Sequence, residues 1–243
     1  MIRDNFVAPS LNDPDTLTMM TVFNSALGPF FGALFAFFVN LFLLRQQRRR
    51  ENKAAGNLAM ATLSRMYGDF LIAKSAIQHD LKTRKDLAAC LQIRPTIFEF
   101  SESLTFDLKA LTFLFEQGQT DLLDQLLLVQ VKYHDLRNLL RLNNDAAWER
   151  DKYIVDGPGF NVKDDAILIS KGDEGVVLGL IPDVLQIQLQ NYHDFLVSRA
   201  VKDESAYTAA GASLQQLMTS KFCKKDVMQF RAHGAKSGLA ASS

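Results

Sequence analysis

The residues best equipped for chemistry come as a repeated triplet. Tyr133-His134-Asp135 and Tyr192-His193-Asp194 each set an imidazole beside a carboxylate. The echo extends upstream, where Asp124-Gln125-Leu126 answers Asp183-Val184-Leu185. Two such pairs facing each other would offer nitrogen and oxygen donors suited to zinc or manganese, or an acid–base couple. The enzymatic reading is therefore a membrane-anchored, metal-dependent hydrolase using His134, Asp135, His193 and Asp194. Against it, neighbouring helical residues point about 100° apart, and helical metal motifs use i,i+3 or i,i+4 spacing. The plainer reading packs each tyrosine in a core and turns the polar pair to water or to a neighbouring element. A duplicated helix pair with no catalytic meaning would leave the same echo.

Other chemistry is sparsely represented. The stretch 156–175 carries Asp156-Gly157-Pro158-Gly159 and Lys171-Gly172-Asp173-Glu174-Gly175. It matches neither a P-loop nor a dinucleotide fingerprint. Its carboxylates (Asp156, Asp164, Asp165, Asp173 and Glu174) repel phosphate, and their spacing does not fit a calcium loop of the EF-hand type. No serine or cysteine sits in a nucleophile elbow. Cys90 and Cys223 stand alone, which reads as two reduced thiols, and His79 and His233 are isolated. Basic and acidic residues balance at 27 each, and no basic stripe interleaves with aromatics, so nucleic acid is not an expected partner. No metal or cofactor is expected.

The apolar residues are unevenly placed. No charge occurs from Thr16 to Leu44, and Met19 to Leu44 is nearly continuous in apolar residues, with Phe23, Phe30, Phe31, Phe35, Phe37, Phe38 and Phe42 among them. A hydrocarbon core of about 30 Å needs about 20 helical residues. A buried soluble helix would show a polar face, and this one shows none. A cleaved signal would have a basic start and a short apolar run ending at small residues. Here Arg3 is joined by Asp4, Asp13 and Asp15, and the run ends on Arg45-Gln46-Gln47-Arg48-Arg49-Arg50. The pattern predicts a retained transmembrane helix over 19–44.

Arg45, Arg48, Arg49, Arg50 and Lys53 crowd one flank, and the opposite flank is acidic. Basic flanks stay on the cytoplasmic side, so residues 1–18 are expected outside and residues 45–243 inside. The same cations suit anionic lipid headgroups. Gly28, Gly32 and Ala36 stand four apart, the spacing that lets two membrane helices approach closely. Pro29 predicts a kink, and Asn24 and Asn40 place polar groups near the two ends.

Beyond the anchor, residues 45–82 read as one long helix with Leu58, Met66, Phe70, Ala73, Ile77 and Leu81 on its apolar side. A short helical piece over 84–93 ends before Pro95. A helix over 101–115 carries Leu104, Leu108, Leu111 and Phe115, and Gln117-Gly118-Gln119 stops it. Thr120 then caps a helix to about Asn143, with Leu122, Leu126, Val129, Tyr133, Leu136 and Leu140 repeating at helical spacing. Residues 166–169 and 176–178 form either a small hairpin or part of a loop insertion. Pro182 opens a helix to about Arg199 with Val184, Ile187, Leu189, Phe195 and Leu196 as its apolar positions, and 203–222 forms the last helix.

The expected fold is an all-α membrane protein. One N-terminal transmembrane helix leads into a cytoplasmic antiparallel bundle of four or five helices, with a hairpin or loop inserted near 156–180. The expected domains are an extracytoplasmic tail (1–18), the span (19–44), the helical domain (45–230) and a disordered tail (231–243). The expected function is non-enzymatic: the helical domain oligomerises or binds a membrane-associated protein at the inner membrane face, as scaffold, sensor or membrane-acting effector. An accessory subunit of a larger membrane complex is the alternative besides the hydrolase. The layout resembles bacterial membrane-tethered helical proteins, some of which act in defence by letting a soluble domain control a membrane helix; the resemblance carries no residue over.

Overall fold

A computed structural model of the chain describes residues 14–96, 100, 104–157, 169 and 172–231. Among these, all regular structure is helical. The helices are α1 (Pro14–Thr83), α2 (Ala89–Gln92), α3 (Thr112–Glu116), α4 (Thr120–Val155), α5 (Glu174–Leu180), α6 (Asp183–Lys202) and α7 (Glu204–Lys221), followed by a 3₁₀ turn at Lys224–Asp226. The chain divides into a first unit ending at Glu51 and a second starting at Asn52.

The first unit contributes the front of α1. The charge-free run forms one helix, long and apolar enough by length and composition to cross a membrane; its most apolar window has a mean hydropathy of 2.1 and buries none of itself. Phe30, Phe31, Phe35, Phe37, Phe38 and Phe42 are 57–71% exposed. Pro29 lies inside the helix, where it has no N–H to donate to the carbonyl four residues before it.

The second unit is built on four long helical segments: α1 from Asn52, α4, α6 and α7. Their order is read from the side chains that join them. Lys132 and Asp135 of α4 meet Asp203 and Arg199 at the end of α6, so these helices run antiparallel. Tyr67 and Lys74 of α1 meet Tyr207 and Glu204 of α7, again antiparallel. One apolar cluster gathers α1 (Met60, Leu63, Phe70), the front of α4 and α7 (Tyr207, Leu214). A second gathers α2, the back of α4 (Ala147, Ile154), α5 (Val177) and the front of α6 (Leu185, Leu189).

α4 belongs to both clusters because its apolar seam is longer than expected. Positions 122, 126, 129, 133, 136, 140, 143, 147, 150 and 154 are all buried, at alternating spacings of four and three. That is the 3.5-residue repeat of a packed helix seam. The helix runs to Val155 rather than ending at Asn143, because Asn143 and Arg150 are seam positions occupied by polar residues.

Four further expectations are corrected. Over 104–115 the expected helix reduces to α3, and 101–103 lie outside the described residues: Leu104 precedes a turn, while Leu108 and Phe115 are 51% and 63% exposed. Leu58 is 58% exposed, since the buried seam of α1 runs through Met60, Leu63, Tyr67 and Phe70. Val176–Leu178 is helical in α5, which rules out its serving as a hairpin arm; 166–168 lie outside the described residues. On α6 the core side is Leu185, Leu189, Leu196 and Ala200, and Val184, Ile187 and Phe195 face outward. The stop at 117–119 is as expected, with Gly118 at φ 67°, a conformation glycine adopts without steric cost; helix α4 then starts at Thr120 itself, with Gln119 in the cap position.

Residues 222–230 close the second unit as a strap. Lys53 forms an ion pair with Asp226 at 3.0 Å. Asn57 donates to the Asp226 carbonyl and accepts from Met228 N–H, both at 3.0 Å. Val227 is buried, and the Phe230 ring lies 5.5 Å from that of Tyr67. Gly211 makes room for it: a Cβ there would fall 2.4 Å from the Phe230 ring.

Candidate functional site

The two His/Asp pairs stand on α4 and α6, and each is committed to different neighbours. His193 Nδ1 lies 2.9 Å from Asp194 Oδ1, and its Nε2 lies 3.0 Å from Gln92 Oε1 on α2. Gln92 Nε2 donates to the Leu87 carbonyl, which fixes Oε1 as the atom turned to the histidine. Both ring nitrogens thus face oxygens, and a metal would have to displace one of them. The adjacent residues do reach each other here, contrary to the argument from helical spacing. The bond also holds the Asp194 carboxyl below its ordinary range. Asp135 instead accepts from Arg199 Nη2 at 3.1 Å, and His134 sets its ring edge-on to Tyr133 at 5.6 Å. Among the described residues no three His, Cys, Asp or Glu side chains gather as a metal-binding group. Tyr133 is fully buried; Tyr192 is half-buried against the second cluster.

The densest polar arrangement lies elsewhere, where α6 turns into α7. Asp203, 4% exposed, accepts from Lys132 and, at 3.3 Å, from Arg199. The next residue, Glu204, pairs with Lys74 and accepts from Tyr67 Oη at 3.2 Å. Tyr133 Oη donates to Asp69 at 2.8 Å. Burial, reinforced by the Glu204 charge, pushes the Tyr67 phenol up to about 12. Burial likewise raises Tyr133 and Tyr207. The hydrogen bond from Lys74 holds Glu204 below the usual carboxylate range. These groups tie α1, α4, α6 and α7 into one corner. Sequence reading missed them because each contributes one charge from a distant segment, and only the fold unites them.

A second polar group clamps the loop carrying α2. Arg150, 1% exposed, donates to the Cys90 and Ile93 carbonyls at 3.0 and 3.3 Å and pairs with Asp151. Arg84 donates to the Leu91 carbonyl, and Asp80 accepts from Arg94 N–H, Nε and Nη2. Burial, then the charges of Arg150 and Arg94, lowers the Arg84 guanidinium. Burial raises the Cys90 thiol, which suits an inert core cysteine.

On the first unit, Gly28, Gly32 and Ala36 lie on the exposed helix, and a Cβ added at Gly28 or Gly32 would meet no atom within 4 Å. No contact among the described residues therefore requires glycine at either position. Arg45, Arg48, Arg49 and Arg50 are exposed on the same helix. Lys53 differs from the other four cations in being held by the strap through Asp226.

Among the described residues the fold is all-helical, with one helix long and apolar enough to cross a membrane. No protein-family model, curated protein or solved structure matches this chain.

Proposed function

We propose that this chain is a non-enzymatic, single-pass membrane protein with its N-terminus outside. On this reading its helical domain assembles with itself or with a membrane-associated protein at the inner membrane face. The observation that carries it is the front of α1, where six phenylalanines are more than half exposed. Leaving a large apolar side chain in water forgoes about 1.5–3 kcal/mol each. Six together forgo roughly 10 kcal/mol, comparable to the entire net stability of a domain. Lipid or another apolar surface removes that cost. The arginines at 45 and 48–50 would then lie at the headgroups, each contributing about 1 kcal/mol on an anionic surface. Glycines at 28 and 32 that no contact among the described residues requires fit a helix approached by another helix. Such a protein serves as scaffold, sensor or membrane-acting effector; a pore would need several copies, since one helix encloses no channel.

The native mass of the detergent-extracted chain, with co-purifying chains identified, tests the assembly. A defined homo-oligomer that weakens in Gly28→Leu/Gly32→Leu supports assembly through the anchor. A stoichiometric complex with another protein makes the chain an accessory subunit. A lone monomer overturns the reading. Orientation has a built-in reporter, since Cys223 is exposed and Cys90 is buried. A membrane-impermeant maleimide should label Cys223 only after the cytoplasmic face is opened.

A further inference from the structure

We propose that the turn from Lys221 to Lys225 rests on the anionic lipid headgroups that the arginines of α1 meet. The inference rests on the membrane reading above and gives the helical domain a lipid-facing side. It begins from where the fold delivers this turn. Helix α7 runs antiparallel to α1: Glu204 meets Lys74, Tyr207 meets Tyr67, and the Met218 side chain occupies the space beside Gly56. The chain then reverses. Asp226 pairs with Lys53, Met228 N–H donates to Asn57, and Phe230 returns to the level of Tyr67. The reversal therefore sits at the end of the second unit where α1 enters it. Lys53 is three residues beyond Arg50, so their Cα atoms are at most about 11 Å apart whatever the angle between the two units. Chain connectivity alone thus keeps a segment from the far end of the sequence close behind the arginine block.

Charge selects the occupant. Lys221, Lys224 and Lys225 are all exposed, and the acid that follows them, Asp226, is neutralised by Lys53. Neither Lys224 nor Lys225 forms an ion pair among the described residues. Helix α4 runs along α1 in the same direction, with Tyr133 at Asp69 and Arg150 at the loop that follows α1. Its exposed acids Asp121 and Asp124 therefore come to the same end as the lysines. The charges there are divided between two elements, cations after α7 and acids at the start of α4. An anionic surface attracts the first and repels the second, which sets the domain down on the strap side. Juxtamembrane cations hold anionic lipid in this way, and the attraction fades within a Debye length, about 8 Å at physiological salt. Lysine suits that occupant, because its long stem carries the ammonium outward while the backbone stays packed. The anchor keeps the lipid surface permanently within reach, so even a weak contact is populated.

Cys223 lies within the turn and is exposed, while Cys90 is buried, so a fluorophore can be placed on the native thiol. The labelled full chain is reconstituted into phosphatidylcholine vesicles with or without phosphatidylserine, each carrying headgroup-spin-labelled lipid as quencher. Quenching is expected to be at least about threefold stronger with phosphatidylserine and to fall to the phosphatidylcholine level at high salt. Lys224→Gln/Lys225→Gln should abolish the difference, and Lys224→Arg/Lys225→Arg should retain it. Equal quenching in the two lipids, or an unchanged difference in the glutamine variant, would overturn the proposal. So would an acidic protein that co-purifies and shields Cys223 from the label. If the chain resists alkaline carbonate extraction yet its quenching ignores lipid charge, the lysine turn is wrong and the membrane reading stands. A chain that carbonate extracts removes both.

Discussion

Asn143 holds a seam position of α4 with 1% of its surface exposed, and its Nδ2 meets no acceptor among the described residues. A buried amide hydrogen without a partner costs about 1–3 kcal/mol. Asn143→Leu is therefore expected to stabilise the protein by about 1 kcal/mol or more, read as a higher urea midpoint at unchanged slope. A lower midpoint would show that the amide is satisfied. Two titrations are also predicted. Glu204 has its folded pKa depressed by Lys74, so its contribution is present above the ordinary Glu range and lost as pH falls through the depressed value. Glu204→Gln should flatten the acid limb of a stability–pH profile. The buried phenol of Tyr67 has its folded pKa raised, so its contribution is full below pH 10 and lost as pH climbs toward about 12. Tyr67→Phe should soften the alkaline limb there. The same seam shows why the sequence reading stopped short. An apolar period is easy to follow until a polar residue occupies it, and Asn143 and Arg150 interrupt the written pattern without interrupting the helix.

At the scale of elements, α2 is four residues long and cannot hold itself together, since a single turn gains too few hydrogen bonds to offset the ordering of its backbone. Arg150 supplies what is missing by binding the carbonyls of Cys90 and Ile93. Arg150→Ala should cost about 3 kcal/mol, because it opens a cavity and strands two carbonyls and the Asp151 carboxylate. Hydrogen exchange should report the loss first in residues 84–94 and only later in α7. Element existence was legible wherever apolar spacing was regular, as in α4 and α7. Faces were less so. On α6, apolar residues occur on both sides, and composition alone cannot say which side meets the core; the buried positions 185, 189, 196 and 200 are distinguished only by what α2 and α4 bring against them. The stretch 101–115 misled for the opposite reason. Its leucines have helical spacing, yet Phe106 N–H is taken by Gln130 Oε1, and Asp107 Oδ1 accepts from Lys109 and Ala110 N–H, bonds that hold a turn in place of a helical ladder.

For the whole molecule, the ends of the helical domain define its integrity. The strap crosses α1 at Lys53 and Asn57 and seats Val227 and Phe230. A chain stopped after Lys221 should lose about 2–4 kcal/mol through the vacated apolar site and the unpaired Asn57. Thermal unfolding would show it, and Gly211→Ala, which blocks the Phe230 ring, should reproduce part of the loss in the full-length chain. The charge-free run and its arginine flank were readable at this scale because a long apolar run and a block of like charges survive in one dimension. The polar corner at Asp203 and Glu204 was not, because its partners are up to 137 residues away in sequence. That separation bears on how the chain is made. The part of α1 from Asn52 leaves the ribosome before α7, which covers Tyr67 and Phe70. At about 5–20 residues per second, the interval from Thr83 to Lys221 lasts roughly 7–30 s. Through that interval a nascent apolar seam waits for its final partner, which makes the newly synthesised chain a natural client for a holding chaperone and any premature stop before α7 a substrate for proteolysis.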